Sequence, residues 1–427
     1  MITVEDAPGL VIAHATLVLE REVVQNGAVL IKDGRIAVVA AAETLPRDGL
    51  PVLDAGGAYL LPGLIDTHND GLEREINPRP QVGFPGPFAL ANFERRSTAG
   101  GVTTTFHALY FGDVVRHGRT VGHASECSAT ILAGAGRGRH DHQVLHRCDV
   151  WSPGGLDPLL DSLYRFPAPA LSLNDHTPGQ GQFRDVAALK RTMGLNRPGA
   201  SEHDLDVEIR RRVEERREDT TTVPGVLRRV HAARGERPFL IASHDDDTPE
   251  KVDLMVDVGA SVAEFPVTLP AARRARERGM WITVGAPNIV RGGSTSGNVS
   301  ATELAAAGLA DIICADYHAP SLLYAAFALV EAGVCPLPAA VAMLTATPAR
   351  VFGLADRGVI APGMRADLCL AALDATGPEV TLVLSAGEVA YAAGRPLPPG
   401  AGAAALSGAA GARRGAAAVE ATASAPG

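Results

Sequence analysis

The middle of the chain alternates short apolar runs with helix-forming segments, and this alternation limits the possible folds more than any other feature. Helical segments such as Leu269–Arg278 and Ser300–Ala307 separate several of the runs. The eight strand candidates are Leu60–Asp66, Thr103–His107, Val144–Val150, Ala170–Leu173, Phe239–Ala242, Ser261–Phe265, Ile282–Gly285 and Ile312–Asp316. Eight strand–helix units in about 290 residues predict an α/β fold, a (β/α)8 TIM-type barrel. A doubly wound parallel sheet shows the same alternation, so periodicity leaves it open.

Further strand-like runs lie near both ends of the chain. The N-terminal runs are Leu10–Ala13, Ala15–Leu19, Ala28–Ile31 and Ile36–Val39, and the C-terminal ones are Ala366–Ala371 and Val380–Leu384. The turn Lys32-Asp33-Gly34-Arg35 between two of them is typical of a hairpin. We therefore expect a small β-sandwich built from residues 1–57 and 354–398 beside a barrel of residues 58–353. Residues 399–427 are rich in Ala and Gly without an apolar pattern, which predicts disorder.

Charge and cysteine content exclude several classes of function. The chain has 39 Lys and Arg against 48 Asp and Glu, a net charge of −9, so no general attraction to nucleic acid or anionic membranes is expected. Its 5 cysteines are scattered and odd in number, which favours a reducing compartment. Neither a signal peptide nor an apolar run of about 18 residues is present. We expect a cytoplasmic protein with a small-molecule substrate, and a homodimer stays open.

Polar and ionisable residues follow five of the predicted strands, at the end where a barrel carries its active site. The clusters are Asp66-Thr67-His68-Asn69-Asp70, Arg147-Cys148-Asp149, Asn174-Asp175-His176, Ser243-His244-Asp245-Asp246-Asp247 and Ala315-Asp316-Tyr317-His318. Side chains two residues apart in a strand point the same way, so His68 and Asp70 can bind one ion. Singly, each cluster has an ordinary explanation, such as helix capping by Asp175 or Asp245. Together they predict a polynuclear site for divalent metal, such as zinc, manganese or iron.

Two motifs resemble those of the amidohydrolase superfamily of metal-dependent hydrolases. These are Leu61-Pro62-Gly63-Leu64-Ile65-Asp66-Thr67-His68, similar to its first-strand signature, and Asp356–Leu368, similar to its return into the β-sandwich. The stretches that resemble the PhnM-type phosphonate-metabolism family are Pro78–Pro80, Leu171–Phe183, Ala242–Asp246, Ala263–Pro266, Gly285–Asn298, and Asp316-Tyr317 followed by Pro320–Leu323. The resemblance spans about residues 58 to 370. It implies a diphosphatase that releases pyrophosphate from α-D-ribose 1-methylphosphonate 5-triphosphate in the carbon–phosphorus lyase pathway.

The resemblance also implies roles for individual residues. By position, the ligands of one or two divalent ions, with zinc favoured over manganese or iron, would be His68, Asp70, Asp149, His176, His244 and Asp316. We assign Asp316 as general base as well. An acidic chain must neutralise a triphosphate locally, with guanidinium groups, backbone N–H groups and neutral donors. The expected substrate-binding residues are Arg79, Arg147, Gln180, Asn288, Arg291, Gly292, Gly293, Ser294, Ser296 and Asn298.

The sequence departs from the family pattern at Asn69, Gly71, Asp149 and Thr295. Asp149 stands where the family usually has Glu, and its side chain is one methylene shorter. Thr295 stands where we expect a His that could give a proton to a phosphate leaving group. The alternative function is therefore an amidohydrolase paralogue that cleaves a C–N bond in a cyclic amide, amidine or related small molecule. A non-catalytic binding protein of the same fold is a third hypothesis, against which the intact metal ligands argue.

Overall fold

The computed structural model describes residues 9–45, 49–79, 81–112, 119–136, 138–196, 199–294 and 297–393. Within these ranges the strands form two separate sheets of eight strands each. One sheet takes its strands from the middle of the chain and the other takes them from both ends. The tail at 399–427, for which the sequence predicts disorder, lies outside the described residues.

The sheet from the middle of the chain is a parallel barrel whose strands pair in chain order. These strands are β6 (Leu64–Asn69), β7 (Val102–Phe111), β8 (Asp141–Asp149), β9 (Ala170–Asn174), β10 (Leu240–His244), β11 (Val262–Glu264), β12 (Trp281–Gly285) and β13 (Ile312–Cys314). The first and last strands meet through a parallel bridge between Asn69 and Asp316. There the Asp316 N–H donates to the carbonyl oxygen of His68 at 2.9 Å. The closed ring confirms the (β/α)8 barrel and excludes an open doubly wound sheet.

Burial on both faces explains the composition of the barrel strands. Every residue of β7 is buried, as expected for a parallel strand covered by helices outside and filled by side chains inside. Such a strand shows a continuous apolar or small-residue run rather than a period of two. The main hydrophobic core of the described residues accordingly combines barrel-strand residues such as Val144 and Ile282 with helix residues such as Leu159 and Leu322.

The helices alternate with the barrel strands along the chain. They are α1 (Gly71–Ile76), α2 (Gly86–Ala99), α3 (Val121–Gly134), α4 (Leu156–Leu163), α5 (Val186–Asn196), α6 (Glu202–Glu218), α7 (Thr222–Glu236), α8 (Pro249–Val258), α9 (Leu269–Glu277), α10 (Ala286–Arg291), α11 (Ala301–Ala306), α12 (Ser321–Glu331), α13 (Leu337–Ala342) and α14 (Ala346–Val351). Thr248 and Thr268 cap α8 and α9 by accepting backbone N–H bonds. No described helix combines the length and apolar character needed to cross a bilayer.

The second sheet takes its strands from both ends of the chain, as expected. Its strands are β1 (Leu10–Val18), β2 (Val23–Lys32), β3 (Arg35–Ala41), β4 (Val52–Asp54), β5 (Tyr59–Pro62), β14 (Leu368–Asp374), β15 (Gly377–Ser385) and β16 (Glu388–Ala392). The β2–β3 hairpin turns at Asp33 and Gly34, both with positive φ. The two runs expected at 10–13 and 15–19 form the single strand β1, with an irregular register around His14.

The first strand expected in the barrel is divided between the two sheets. β5 pairs with β1 and β14 in the small sheet, whereas β6 pairs with β7 in the barrel. Gly63 alone separates the two strands, and its N–H donates to the carbonyl oxygen of Asp367 at 2.7 Å. The sequence shows one apolar run here because both strands are buried. The small sheet is therefore joined directly to the strand that carries His68.

We expect the substitution Gly63→Ala to destabilise the protein. A Cβ atom at Gly63 would lie 2.6 Å from Cγ2 of Thr103. Alanine would therefore overpack the junction between β5 and β6, at a cost of about 1–3 kcal/mol. Gly225→Ala is the matched control, because Gly225 lies in α7 with nothing within 4 Å of its Cβ position. That control should gain about 0.5–1 kcal/mol. Urea unfolding measures both, and a Gly63→Ala protein as stable as wild type would contradict the packing described here.

Candidate metal and substrate site

The C-terminal ends of the barrel strands surround a cavity of about 300 Å³. Residues that end or follow five of these strands, β6, β8, β9, β10 and β13, line part of it. The predicted site residues that line it are His68, Asp70, Arg147, His176, His244, Asn288, Arg291, Gly293, Ser294, Asn298 and Asp316. The fold thus brings most of the predicted site together, at the end of the barrel where active sites lie.

The first group of metal-donor side chains is His68, Asp70 and Asp316, whose ligand atoms all lie within 4.8 Å of one another. Barrel closure produces this group. The Asp70 N–H donates to the carbonyl oxygen of Asp316 at 2.7 Å, and Asp316 has a positive φ of 56°. Burial and the negative charge of Asp70 raise the pKa of Asp316 to about 6. Two carboxylates beside one imidazole form a donor set that suits zinc, manganese or iron.

Glu264, at the end of β11, orients His68. Its Oε1 lies 3.0 Å from Nδ1 of His68, and its Oε2 accepts a hydrogen bond from the Ser172 hydroxyl at 2.6 Å. Burial would raise the pKa of Glu264, but the charge and hydrogen bond of His68 keep it below its usual value. The ring is thereby turned so that Nε2 faces Asp70, 3.9 Å away. A carboxylate behind a metal-ligating histidine fixes its tautomer and orientation in many metal sites.

The second donor group is His176, His244 and Asp245, again with ligand atoms within 4.8 Å of one another. Nδ1 of His244 is buried and makes no hydrogen bond of acceptable geometry, although Oδ2 of Asp245 lies 2.8 Å away. Burial, Arg147 and His244 lower the pKa of His176 to about 3, so its imidazole is neutral and able to ligate. A buried imidazole nitrogen that lies beside a carboxylate without a well-aligned hydrogen bond fits a bound cation. The imidazole and carboxylate donors of both groups suit a divalent metal.

Two arginines balance the carboxylates of the cavity. Nε and Nη2 of Arg147 donate to Oδ1 of Asn174 at 3.0 and 2.7 Å, and Nη1 donates to Asp70 at 3.1 Å. Arg119 forms an ion pair with Glu73 at 2.6 Å. Burial opposes ionisation of Asp70, but Arg147, His68 and Arg119 lower its pKa to about 2. The cavity therefore combines metal donors with fixed positive charge.

The structure leaves some predicted residues outside the cavity wall. Arg79 is exposed and Gln180 donates to Asp175 at 2.6 Å, so neither lines the cavity. Gly292 is absent from the lining too, although its neighbours contribute. Asp149 belongs to no candidate metal-donor group among the described residues, and its carboxylate oxygens accept hydrogen bonds from the Tyr110 hydroxyl and the Trp151 N–H. Ser296 and Thr295 lie outside the described residues.

Several residues of the site are absent from the set expected from sequence. They are Glu264, Asp245, Arg119, Gln182, Phe265 and Tyr317. Glu264 ends β11 as His244 ends β10, and a carboxylate near the end of the predicted strand Ser261–Phe265 was the signal that could have identified it. Asp245 does not cap α8, since Thr248 does, and its positive φ of 56° suits a residue held in an unusual position. Arg119 gives no sequence signal, because only the fold brings it beside Asp70.

Known proteins resemble this chain in sequence and fold. A model of the amidohydrolase family matches residues 179–391. The α-D-ribose 1-methylphosphonate 5-triphosphate diphosphatase of Escherichia coli is 37% identical over 370 residues, covering 85% of this chain and 95% of that protein. An adenine deaminase of Deinococcus deserti is 27% identical over 374 residues, covering 80% of this chain and 52% of that protein. The crystal structure of a D-hydantoinase, 15% identical, matches with a TM-score of 0.60 over 91% of this chain and 97% of its own.

We expect Glu264→Gln to weaken metal binding without unfolding the barrel. An amide at this position cannot supply the negative charge that orients the His68 imidazole, and loss of such a partner costs about 10- to 100-fold in metal affinity. Isothermal titration of the chelator-treated protein with Zn²⁺ or Mn²⁺ measures the effect. Glu277→Gln is the control, because Glu277 is 63% exposed on α9. Equal affinities for both variants would contradict the role of Glu264.

Proposed function

The chain belongs to the PhnM-type phosphonate-metabolism family of the amidohydrolase superfamily, and we propose that it hydrolyses the triphosphate of α-D-ribose 1-methylphosphonate 5-triphosphate. Water adds to phosphorus, the anhydride bond between the α- and β-phosphates breaks, and pyrophosphate leaves. Support comes from the Escherichia coli α-D-ribose 1-methylphosphonate 5-triphosphate diphosphatase, which is 37% identical to this chain and is matched over 95% of its own length. The observation that carries the proposal is that two metal-donor groups and three arginines line one cavity.

The donor groups would hold one or two divalent ions, and zinc is the ion we favour. His68, Asp70 and Asp316 would bind in one group, and His176, His244 and Asp245 in the other. Bound divalent metal lowers the pKa of water to near neutrality and polarises a phosphoryl oxygen. Glu264 keeps His68 in the tautomer whose Nε2 is available to ligate.

Asp316 is the residue we assign as general base. It lies at the closure of the barrel beside His68 and Asp70, and burial and Asp70 raise the pKa of its carboxyl to about 6. A carboxylate within hydrogen-bond reach of an attacking water can accept its proton. Asp316 would take the proton of the attacking water as the bond to phosphorus forms.

The segment from Asn288 to Asn298 would bind the phosphate chain. Arg291 and Asn288 line the cavity together with Gly293 and Ser294. The Asn288 Oδ1 accepts the N–H of Ala301 at 3.0 Å, which orients its amide. Guanidinium offers a two-pronged donor to phosphate, and amide and backbone N–H groups add neutral donors. The net charge of −9 does not prevent this binding, because the cavity itself supplies the positive charge that meets the phosphates.

A release assay tests the proposed reaction. Metal-loaded protein should produce one pyrophosphate per substrate from the ribose triphosphate, and more slowly from ATP as an accessible analogue. Phosphate detection with and without added inorganic pyrophosphatase distinguishes pyrophosphate from phosphate. Hydantoin, dihydropyrimidine and adenine serve as the comparison panel for C–N cleavage. Turnover of one of these compounds without pyrophosphate release from any triphosphate would contradict the proposal and favour a C–N hydrolase.

The substitution Asp316→Asn tests the base. An amide cannot accept the proton, so kcat for pyrophosphate release should fall by about 10²- to 10⁴-fold. Asp161→Asn provides the control, because Asp161 is exposed on α4. Steady-state kinetics at saturating metal measures both variants. An Asp316→Asn protein with wild-type kcat would mean that another group accepts the proton.

A further inference from the structure

Tyr110 lies between two arginines of the cavity and has no role in the chemistry proposed above. Its side chain is 4% exposed at the end of β7. The Cζ atom of Arg147 lies 5.7 Å from the centre of its ring, and that of Arg119 lies 5.9 Å away. A guanidinium group within about 6 Å of an aromatic ring is attracted to the ring face, more strongly where water is excluded. One buried ring thus contacts two cations.

Strand pairing explains this arrangement. β7 and β8 are parallel neighbours, and Tyr110 pairs directly with Arg147. Paired residues of neighbouring strands point to the same side of the sheet. Asp149, two residues beyond Arg147, points to that side as well. The barrel therefore sets Tyr110, Arg147 and Asp149 side by side without any contribution from a ligand.

Asp149 anchors the tyrosine. The Tyr110 hydroxyl donates to Oδ2 of Asp149 at 2.7 Å, and the Trp151 N–H donates to Oδ1 at 3.0 Å. Burial and the nearby Asp149 charge raise the pKa of Tyr110 far above its usual value, so the hydroxyl keeps its proton and donates. Both carboxylate oxygens are engaged within the protein. No candidate metal-donor group among the described residues contains Asp149.

The two guanidinium groups are held on their other sides by polar partners. Arg147 is fixed by Asn174 and Asp70, and Arg119 by Glu73. Both arginines nevertheless line the cavity. Each is thus held in place by a polar partner and by the Tyr110 ring, and still faces the space where a substrate binds.

We propose that Tyr110, anchored by Asp149, is a positioning residue that holds Arg119 and Arg147 as a two-guanidinium clamp for a polyphosphate chain, and that Asp149 is not a metal ligand in this chain. The proposal deepens the proposed function, on which the choice of a polyphosphate rests. In this proposal Asp149 acts as a hydrogen-bond acceptor. A position-by-position comparison with the family would instead make it a metal ligand. The shorter side chain suits this role, because it reaches the neighbouring strand rather than the donor groups.

Asp149→Asn separates the two roles of that residue. Its Oδ1 can still accept the Trp151 N–H, and its Nδ2 can donate to the Tyr110 oxygen, which also accepts hydrogen bonds. A carboxamide is a poor replacement for a metal-binding carboxylate. We therefore expect wild-type metal content by elemental analysis and an affinity for inorganic tripolyphosphate within about twofold of wild type. Loss of about one metal equivalent would overturn the assignment of Asp149.

Substitutions of Tyr110 test the clamp. Tyr110→Leu removes both ring contacts and should weaken binding of tripolyphosphate about tenfold by isothermal titration. Tyr110→Phe keeps the ring and loses only its anchor, so a smaller loss of about threefold is expected, and this variant also serves if the leucine protein fails to fold. In pyrophosphate release, KM should rise while kcat at saturation changes less than about twofold. Metal content should stay at the wild-type level in both.

Tyr164→Leu is the matched control. Tyr164 also contacts an arginine, with Cζ of Arg237 4.5 Å from its ring centre, and its hydroxyl donates to Ala233 at 3.1 Å, but it lies at the end of α4 away from the cavity. This variant should bind tripolyphosphate like wild type. Unchanged affinity in both Tyr110 variants would overturn the clamp.

The titrations require no turnover, so the clamp and the proposed reaction can fail separately. If the protein binds tripolyphosphate through Tyr110 but releases no pyrophosphate from any triphosphate, the proposed reaction is wrong and the clamp stands. If it releases pyrophosphate while the Tyr110 variants bind normally, the clamp alone is wrong.

Discussion

Closure of the barrel between its first and last strands is the constraint on which the rest of the site depends. Two backbone hydrogen bonds join the segment at His68–Asp70 to Asp316, at 2.9 and 2.7 Å. Behind them the buried carboxylate of Asp66 accepts the Ala315 N–H at 2.9 Å and the Asn69 side chain at 2.6 Å. These bonds fix candidate metal donors that are almost 250 residues apart in sequence. The first donor group is thus formed by the same contacts that make the barrel a closed structure.

Electrostatic balance within the cavity is the second organising feature. The carboxylates of Asp70 and Asp316 lie close enough to repel one another, and neighbouring cations relieve that repulsion. Burial raises the pKa of Asp70, and among the neighbouring charges that lower it Arg147 has the largest effect. Bound divalent metal would supply further positive charge at the same place. A strongly acidic chain can therefore contain a site that accepts an anionic substrate.

The sequence predicts the repeating architecture well because buried parallel strands carry their signal locally. Each barrel strand overlaps a predicted apolar run, although the first run also contains β5, and His68, Asp70, His176, His244 and Asp316 meet in one cavity as expected. The direction in which each side chain points is not apparent from the sequence and is seen only in the three-dimensional structure. Asp149 ends its strand as His244 does, yet the hydroxyl of a tyrosine in the adjacent strand donates a hydrogen bond to it. The division of the first apolar run between two sheets is similarly hidden, since both halves are buried.

The position of β5 has a consequence for synthesis of the chain. Its antiparallel partner β14 is roughly 300 residues further along, and translation at about 5–20 residues per second leaves that edge without its final neighbour for roughly 15–60 s. Throughout this interval the whole barrel emerges from the ribosome beside a half-finished sheet. Such long-range pairing slows folding. The sheet can therefore be completed only after the C-terminal strands are synthesised, and chains truncated before β14 would leave the apolar edge of β5 without this partner.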